Sequence, residues 1–332
     1  MSLLVDAHVH LLGIGDNGSG CVMSPRMKSS FLYRFMKRRL GLVDGRVDDG
    51  YLDLLIATKR ASRLDRIVLF AQDGVYDRRG VREEHGTHLY VPSDYVLRVA
   101  REHPGDFWAC ASINPSRRDA MEELERVTAL GARMVKVHPP IQGIDPGDPR
   151  WRPFWRRVAE LGVILVIHTG HEHSAPIHGQ SLAHPARIVP ALEEGATVVA
   201  AHAGTCAIYD AQDFYPSFRA LLEKWPTLYA DTAILGNLFR LGALRRIASD
   251  PLVRSRLIHG SDFPLPASNV VWRAPGLILE SNLLERDARV KEAYGVFEES
   301  ARRGAELLER RRGLPCVAPP QSAKQGVGVE QH

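Results

Sequence analysis

Short runs of Val, Ile, Leu and Ala recur along this chain, and between them lie segments whose apolar residues return at helical spacing. The runs are Leu3–Leu11, Arg66–Asp73, Phe107–Asn114, Arg133–His138, Val163–Thr169, Thr197–Ala203, Thr227–Thr232 and Arg256–Ser261. Most are apolar on both faces, as parallel strands covered on two sides are, and lack the alternation of a half-solvated sheet. The segments Met121–Leu130, Phe154–Leu161, Ala186–Glu194, Phe218–Lys224 and Leu238–Ala248 read as amphipathic helices. Gly162 and Gly195 stand where such helices turn into the next run. Eight strands with helical or inserted segments between them predict an α/β protein built as a (β/α)8 barrel. A doubly wound sheet with fewer strands is the alternative.

Two regions break the repeat. Residues 13–49 form an insertion after the first strand, opening Gly-Ile-Gly-Asp-Asn-Gly-Ser-Gly. It carries Arg26, Lys28, Arg34, Lys37, Arg38 and Arg39 around Phe31, Leu32, Phe35 and Met36. The pattern predicts a helix with a solvated basic face; a lid helping to hold an anion is the sharper reading. At the other end a last helix, decorated by Arg302, Arg303 and Arg310–Arg312, completes a single domain over residues 1–312. Residues 313–332, rich in Gly, Pro, Ser and Gln, are expected to be a disordered tail.

Composition narrows the function classes. The 332 residues, 45% hydrophobic and 25% charged, are those of an ordinary soluble globular protein. A net charge of +4 is too small to indicate a nucleic-acid partner. No run is long enough to cross a bilayer. Asp6, His8 and His10 interrupt the first apolar run, unlike a signal peptide. The expectation is a cytoplasmic protein acting on a small molecule, with no nucleic-acid or membrane partner; a homo-oligomer is compatible with the sequence. Cys21, Cys110, Cys206 and Cys316 are far apart with no CxxC pair, which suggests neither a disulfide framework nor a zinc knuckle.

The candidate chemistry gathers at the strand ends. His8 and His10, two apart on one strand, point the same way and can both reach one divalent cation. The fourth run ends Met-Val-Lys136-Val-His138-Pro-Pro, the fifth Val-Ile-His168-Thr-Gly, the sixth Ala-Ala-His202-Ala-Gly, and the eighth is followed by Gly-Ser-Asp262-Phe-Pro. Alone, His168 or His202 reads as a hydrogen-bonded core histidine, and Asp262 as a cap or turn residue. Lys136 in a buried strand is harder to dismiss: its amine must meet an anion, lose its proton or be chemically modified. Together, at the face where barrel enzymes carry their sites, these residues point to a metal centre.

The HxH strand, the strand-four Lys, the His on strands five and six, and Gly-Ser-Asp-Phe-Pro after strand eight resemble the amidohydrolase superfamily. The likeness is closest to its amidohydrolase-related branch of metal-dependent TIM-barrel hydrolases and decarboxylases. The resemblance implies that His8, His10 and Asp262 bind a first metal. In two-metal members a carboxylated lysine, here Lys136, bridges to a second ion on His168 and His202. In one-metal members His168 joins the first three and His202 orients the metal-bound water. An uncarboxylated Lys136 would instead receive a substrate carboxylate. The implied cofactor is one or two divalent ions, zinc first, with catalytic roles for Asp262, His202 and Lys136. Substrate contacts are expected at His138, His171 and His173; supporting a metal ligand or facing water at the strand end are equal readings for His138, and a solvated loop for the other two. Asp73 and Asp231, closing the second and seventh strands, are further pocket candidates. A divalent ion acidifies bound water and polarises a carbonyl. The leading expectation is therefore hydrolysis of a C–N or C–O bond in an amide, cyclic amide, lactone or ester. The alternative is a non-oxidative decarboxylase or hydratase acting on an unsaturated or aromatic carboxylic acid.

Overall fold

The computed structural model describes residues 2–271 and 276–310. Eight strands lie side by side in chain order: β1 (Val5–His10), β2 (Arg66–Phe70), β3 (Phe107–Ser112), β4 (Met134–Val137), β5 (Ile164–His168), β6 (Val198–Ala201), β7 (Leu228–Asp231) and β8 (Leu257–Ile258). Every neighbouring pair is parallel. The sheet closes on itself beyond β8, where Ala7 N–H donates to His259 O at 2.8 Å and His10 N–H to Phe263 O at 2.9 Å. This is the (β/α)8 barrel that the apolar runs predict, rather than the doubly wound alternative.

Alternation along the strands sorts the core into two. Residues such as Ile67, Leu69, Val135, Leu165, Ile167 and Ala200 pack outward against the helices in one large cluster. Val68, Phe70, Cys110, Met134, Ile164, Val166, Val199 and Ala201 form a smaller inner cluster. Helices α1 (Phe31–Arg39), α2 (Val47–Arg60), α3 (Ser93–Glu102), α4 (Ala120–Ala129), α5 (Arg152–Glu160), α6 (Val189–Glu193), α7 (Tyr215–Lys224), α8 (Leu241–Ser249), α9 (Leu283–Ala293) and α10 (Phe297–Glu309) complete the main framework. Ala305 and Leu308 of α10 join the inner cluster, next to the strand starts Val5, Met134 and Ile164. The last helix thus seals the amino-terminal end of the barrel. With that end filled by side chains, only the carboxyl-terminal end is left to build a site.

The boundaries shift by a few residues. The expected helix over Ala186–Glu194 is a 3₁₀ turn (Pro185–Ile188) running into α6, and Leu238–Arg240 is a 3₁₀ turn before α8. Within residues 13–49 the expected helix is α1, capped by Ser30, whose hydroxyl accepts from Tyr33 N–H at 3.1 Å. Its Met36 is buried, whereas Phe31 is 79% exposed. The last residues of that span already belong to α2, whose buried Asp48 accepts from Ile14 N–H at 2.5 Å and from Ser19 Oγ at 2.5 Å. The glycine-rich opening of the insertion is thereby tied to the first barrel helix. The tail expected over residues 313–332 lies outside the described residues.

Candidate metal centre

The strand ends bring His8, His10, Lys136, His168, His202 and Asp262 to one place. Ring centroids step from His10 to His8 (5.1 Å), to His202 (5.4 Å), to His168 (4.8 Å) and to His138 (4.2 Å). His8 is fully buried and stacks on Phe70 at 4.2 Å. Its Nδ1 lies 2.7 Å from Asp231 Oδ2, so that nitrogen carries the proton and Nε2 presents its lone pair. Nε2 has no hydrogen-bond partner among the described residues and sits 3.6 Å from Asp262 Oδ1. The same oxygen lies 3.1 Å from His10 Nε2.

Backbone geometry sets these side chains. His202 and Asp262 both have φ of 64°, in the left-handed region, a conformation costing about 1–3 kcal/mol at a non-glycine residue. Hydrogen bonds hold each: His202 N–H donates to Asp231 Oδ1 at 2.8 Å, and Asp262 N–H to His8 O at 2.9 Å. Asp231 therefore orients His8 with one oxygen and His202 with the other. His202 Nδ1 contacts Ala233 O at 3.1 Å, which fixes its proton there and leaves Nε2 free as an acceptor.

Charge follows burial. Burial, followed by the nearby Lys136, holds His8 well below the ordinary imidazole range; burial and then His138 do the same for His168. Both rings are therefore held neutral. Burial pushes the Asp262 carboxyl up, but the His10 hydrogen bond and its histidine neighbours outweigh it and hold the group well below the usual carboxylate range. Burial also lowers Lys136, against the pull of Asp231 and Asp262. Its Nζ has no hydrogen-bond partner among the described residues and sits 5.4 Å from the Phe70 ring centre.

These atoms fit a divalent cation. His8, His10 and Asp262 each offer a ligand atom within 4.8 Å of the others, and so do His138, His168 and Glu172. Unpartnered buried nitrogens on His8, His168 and Lys136 are costly unless something absent from the chain itself meets them. The second group departs from expectation. His138, expected to touch substrate or support the centre, has both ring nitrogens engaged, with Gln72 Oε1 at 3.1 Å and Glu172 Oε2 at 2.9 Å. Glu172, from the same His-rich loop as His171 and His173, is a buried carboxylate of this group. Burial raises its pKa, but the hydrogen bonds from His138 and Ser174 outweigh burial and keep it ionised. His171 and His173 turn away from Glu172 and meet Asp210. Asp73 accepts from Gly74 N–H, Asn114 N–H and Tyr76 Oη, outside both groups.

Comparison with known proteins bears on the family and the fold. The family model described as Amidohydrolase matches residues 5–303. No curated protein matches the chain. Among solved structures, an uncharacterised TIM-barrel protein from Bordetella bronchiseptica is similar over 92% of this chain and 99% of its own, at TM-score 0.59 and 17% identity. A putative 2-pyrone-4,6-dicarboxylic acid hydrolase from Pseudomonas putida is similar over 92% and 98%, at 0.57 and 17%. A 2,6-dihydroxybenzoate decarboxylase complexed with 2,6-dihydroxybenzoate is similar over 93% and 98%, at 0.53 and 14%. At these identities the structural likeness carries the fold alone.

Proposed function

Given that the chain belongs to the amidohydrolase family, we propose that it is a metal-dependent hydrolase acting on a C–N or C–O bond of an amide, cyclic amide, lactone or ester. The observation that carries this reading is the neutral Nε2 of His8, unpartnered among the described residues, beside His10 and the ionised carboxylate of Asp262. These three residues would hold a divalent ion, with His168 available to it. When bound, the ion supplies an acidified water and a polarised carbonyl. Asp262, kept ionised, accepts the proton of the attacking water and returns it to the leaving group. His202, with Nδ1 committed to Ala233 O, uses Nε2 to orient that water. If a second ion enters, His168 and Glu172 offer it ligands, His138 joins only by giving up its Nε2 contact with Glu172, and a carboxylated Lys136 would assist.

The Lys136 amine also supports a second reading. Left uncarboxylated, it would receive the carboxylate of an unsaturated or aromatic acid, which suits a decarboxylase or hydratase. The test is an assay of zinc- and manganese-loaded protein against lactones, esters, cyclic amides and aromatic carboxylic acids. Hydrolysis that disappears with a chelator supports the first reading. Carbon dioxide release without hydrolysis replaces it with the second.

A further inference from the structure

A separate constellation lies on the other side of the strand-five loop. Glu172 turns inward to His138, while its neighbours His171 and His173 face the opposite way, as residues flanking an extended position do. There they meet Asp210, 37 residues beyond His173, on the loop that follows β6. Asp210 Oδ1 lies 2.8 Å from His173 Nε2 and 3.3 Å from His171 Nδ1. All three ligand atoms fall within 4.8 Å of one another. Donors about 2.0–2.1 Å from a tetrahedral ion stand roughly 3.3 Å apart, so the group needs little movement to close on one.

The side chains are held ready. Asp210 is 4% exposed at its side chain, and its other oxygen accepts from Ala207 N–H at 2.6 Å. The His171 ring stacks on Phe214 at 4.9 Å, and its Nε2 is buried with no hydrogen-bond partner among the described residues. The ring's polar engagement is therefore through Nδ1, toward Asp210. His173 is packed edge-on against Tyr209 at 5.2 Å and is 39% exposed, which leaves an entry path. Arg240 already joins the two loops beside the group, donating to Thr205 O at 2.6 Å and to His171 O at 2.9 Å.

We propose that His171, His173 and Asp210 bind a divalent transition-metal ion that staples the loop after β5 to the loop after β6. Two imidazoles and a carboxylate suit zinc, cobalt or nickel better than magnesium or calcium. The site shares no ligand with the centre built on His8, His10 and Asp262, and it stands whether or not the proposed hydrolysis does.

The experiment compares wild type with His173→Ala, Asp210→Asn and His8→Ala, each equilibrated with zinc and measured for bound metal per chain. Limited proteolysis of the 205–214 loop is run with and without zinc. His173→Ala and Asp210→Asn are expected to hold one equivalent fewer than wild type while keeping the equivalent that His8→Ala loses. Zinc is expected to slow cleavage in wild type and in His8→Ala, and to have no effect in His173→Ala. Asp210→Asn retains an oxygen for Ala207 N–H, so it guards against loss of fold. Unchanged stoichiometry in both loop variants, or zinc-independent cleavage in wild type, overturns the proposal.

Discussion

Replacing Asp231 by Asn tests how the centre sets the proton on His8. Asp231 Oδ2 contacts His8 Nδ1 at 2.7 Å, while Oδ1 accepts from His202 N–H at 2.8 Å and Ala233 N–H at 3.1 Å. An asparagine must choose an orientation. If its oxygen replaces Oδ1, its NH2 faces His8 Nδ1, which then accepts, and the ring proton moves to Nε2. That nitrogen loses the lone pair offered to an ion. In the opposite orientation two buried backbone donors lose their acceptor, at about 1–3 kcal/mol each, so the first is preferred. Loss of a carboxylate behind a ligating histidine weakens metal binding by roughly 10–100-fold, or about 1.4–2.8 kcal/mol. The assay is zinc competition against a chromophoric chelator. A zinc Kd unchanged within about twofold, in a variant that folds normally, would refute the tautomer argument.

Other perturbations probe separate parts of the account. Asp262→Asn should abolish turnover while leaving some metal bound; a wild-type rate contradicts its role as proton acceptor. Gly260→Ala would place a Cβ 2.7 Å from His8 Cβ; overpacking there should cost about 1–3 kcal/mol and weaken zinc binding, and an unchanged Tm and Kd would count against it. Beneath the centre, burial pushes Asp287 up to about 7 and Asp6 up to about 6, with Lys291 opposing in each case. A carboxyl raised above its unfolded value contributes stability that is whole below the unfolded pKa of 3.8 and is lost as pH rises through about 7. Asp287→Asn, which cannot ionise, should therefore gain progressively on wild type in urea unfolding of the metal-free protein as pH rises from about 4 to about 7. A gap that does not vary with pH would contradict this.

The barrel was legible because its strands are apolar on both faces, and that pattern survives without knowledge of tertiary contacts. The end of the eighth run was not. Arg256–Ser261 shortens to Leu257–Ile258, and the chain then leaves sheet geometry to reach the left-handed turn at Asp262. The alternation used for His8 and His10 also holds only in outcome, since the β1–β2 register shifts between Asp6 and Val9. The candidate ligands converge because they lie near or just beyond the carboxyl ends of barrel strands, a position visible in sequence as the close of an apolar run. Glu172 and Asp210 lie in loops, where no period indicates direction, and their pairing with histidines depends on how those loops fold. Asp231 did carry a signal, a carboxylate closing an apolar run, but only the structure shows it gripping both His8 and His202.

Anomalous scattering at the zinc edge, from crystals grown with zinc, locates the ion. A peak is expected about 2.0–2.2 Å from His8 Nε2, His10 Nε2 and an Asp262 carboxylate oxygen. A map with no peak among those three side chains would contradict the proposed metal centre.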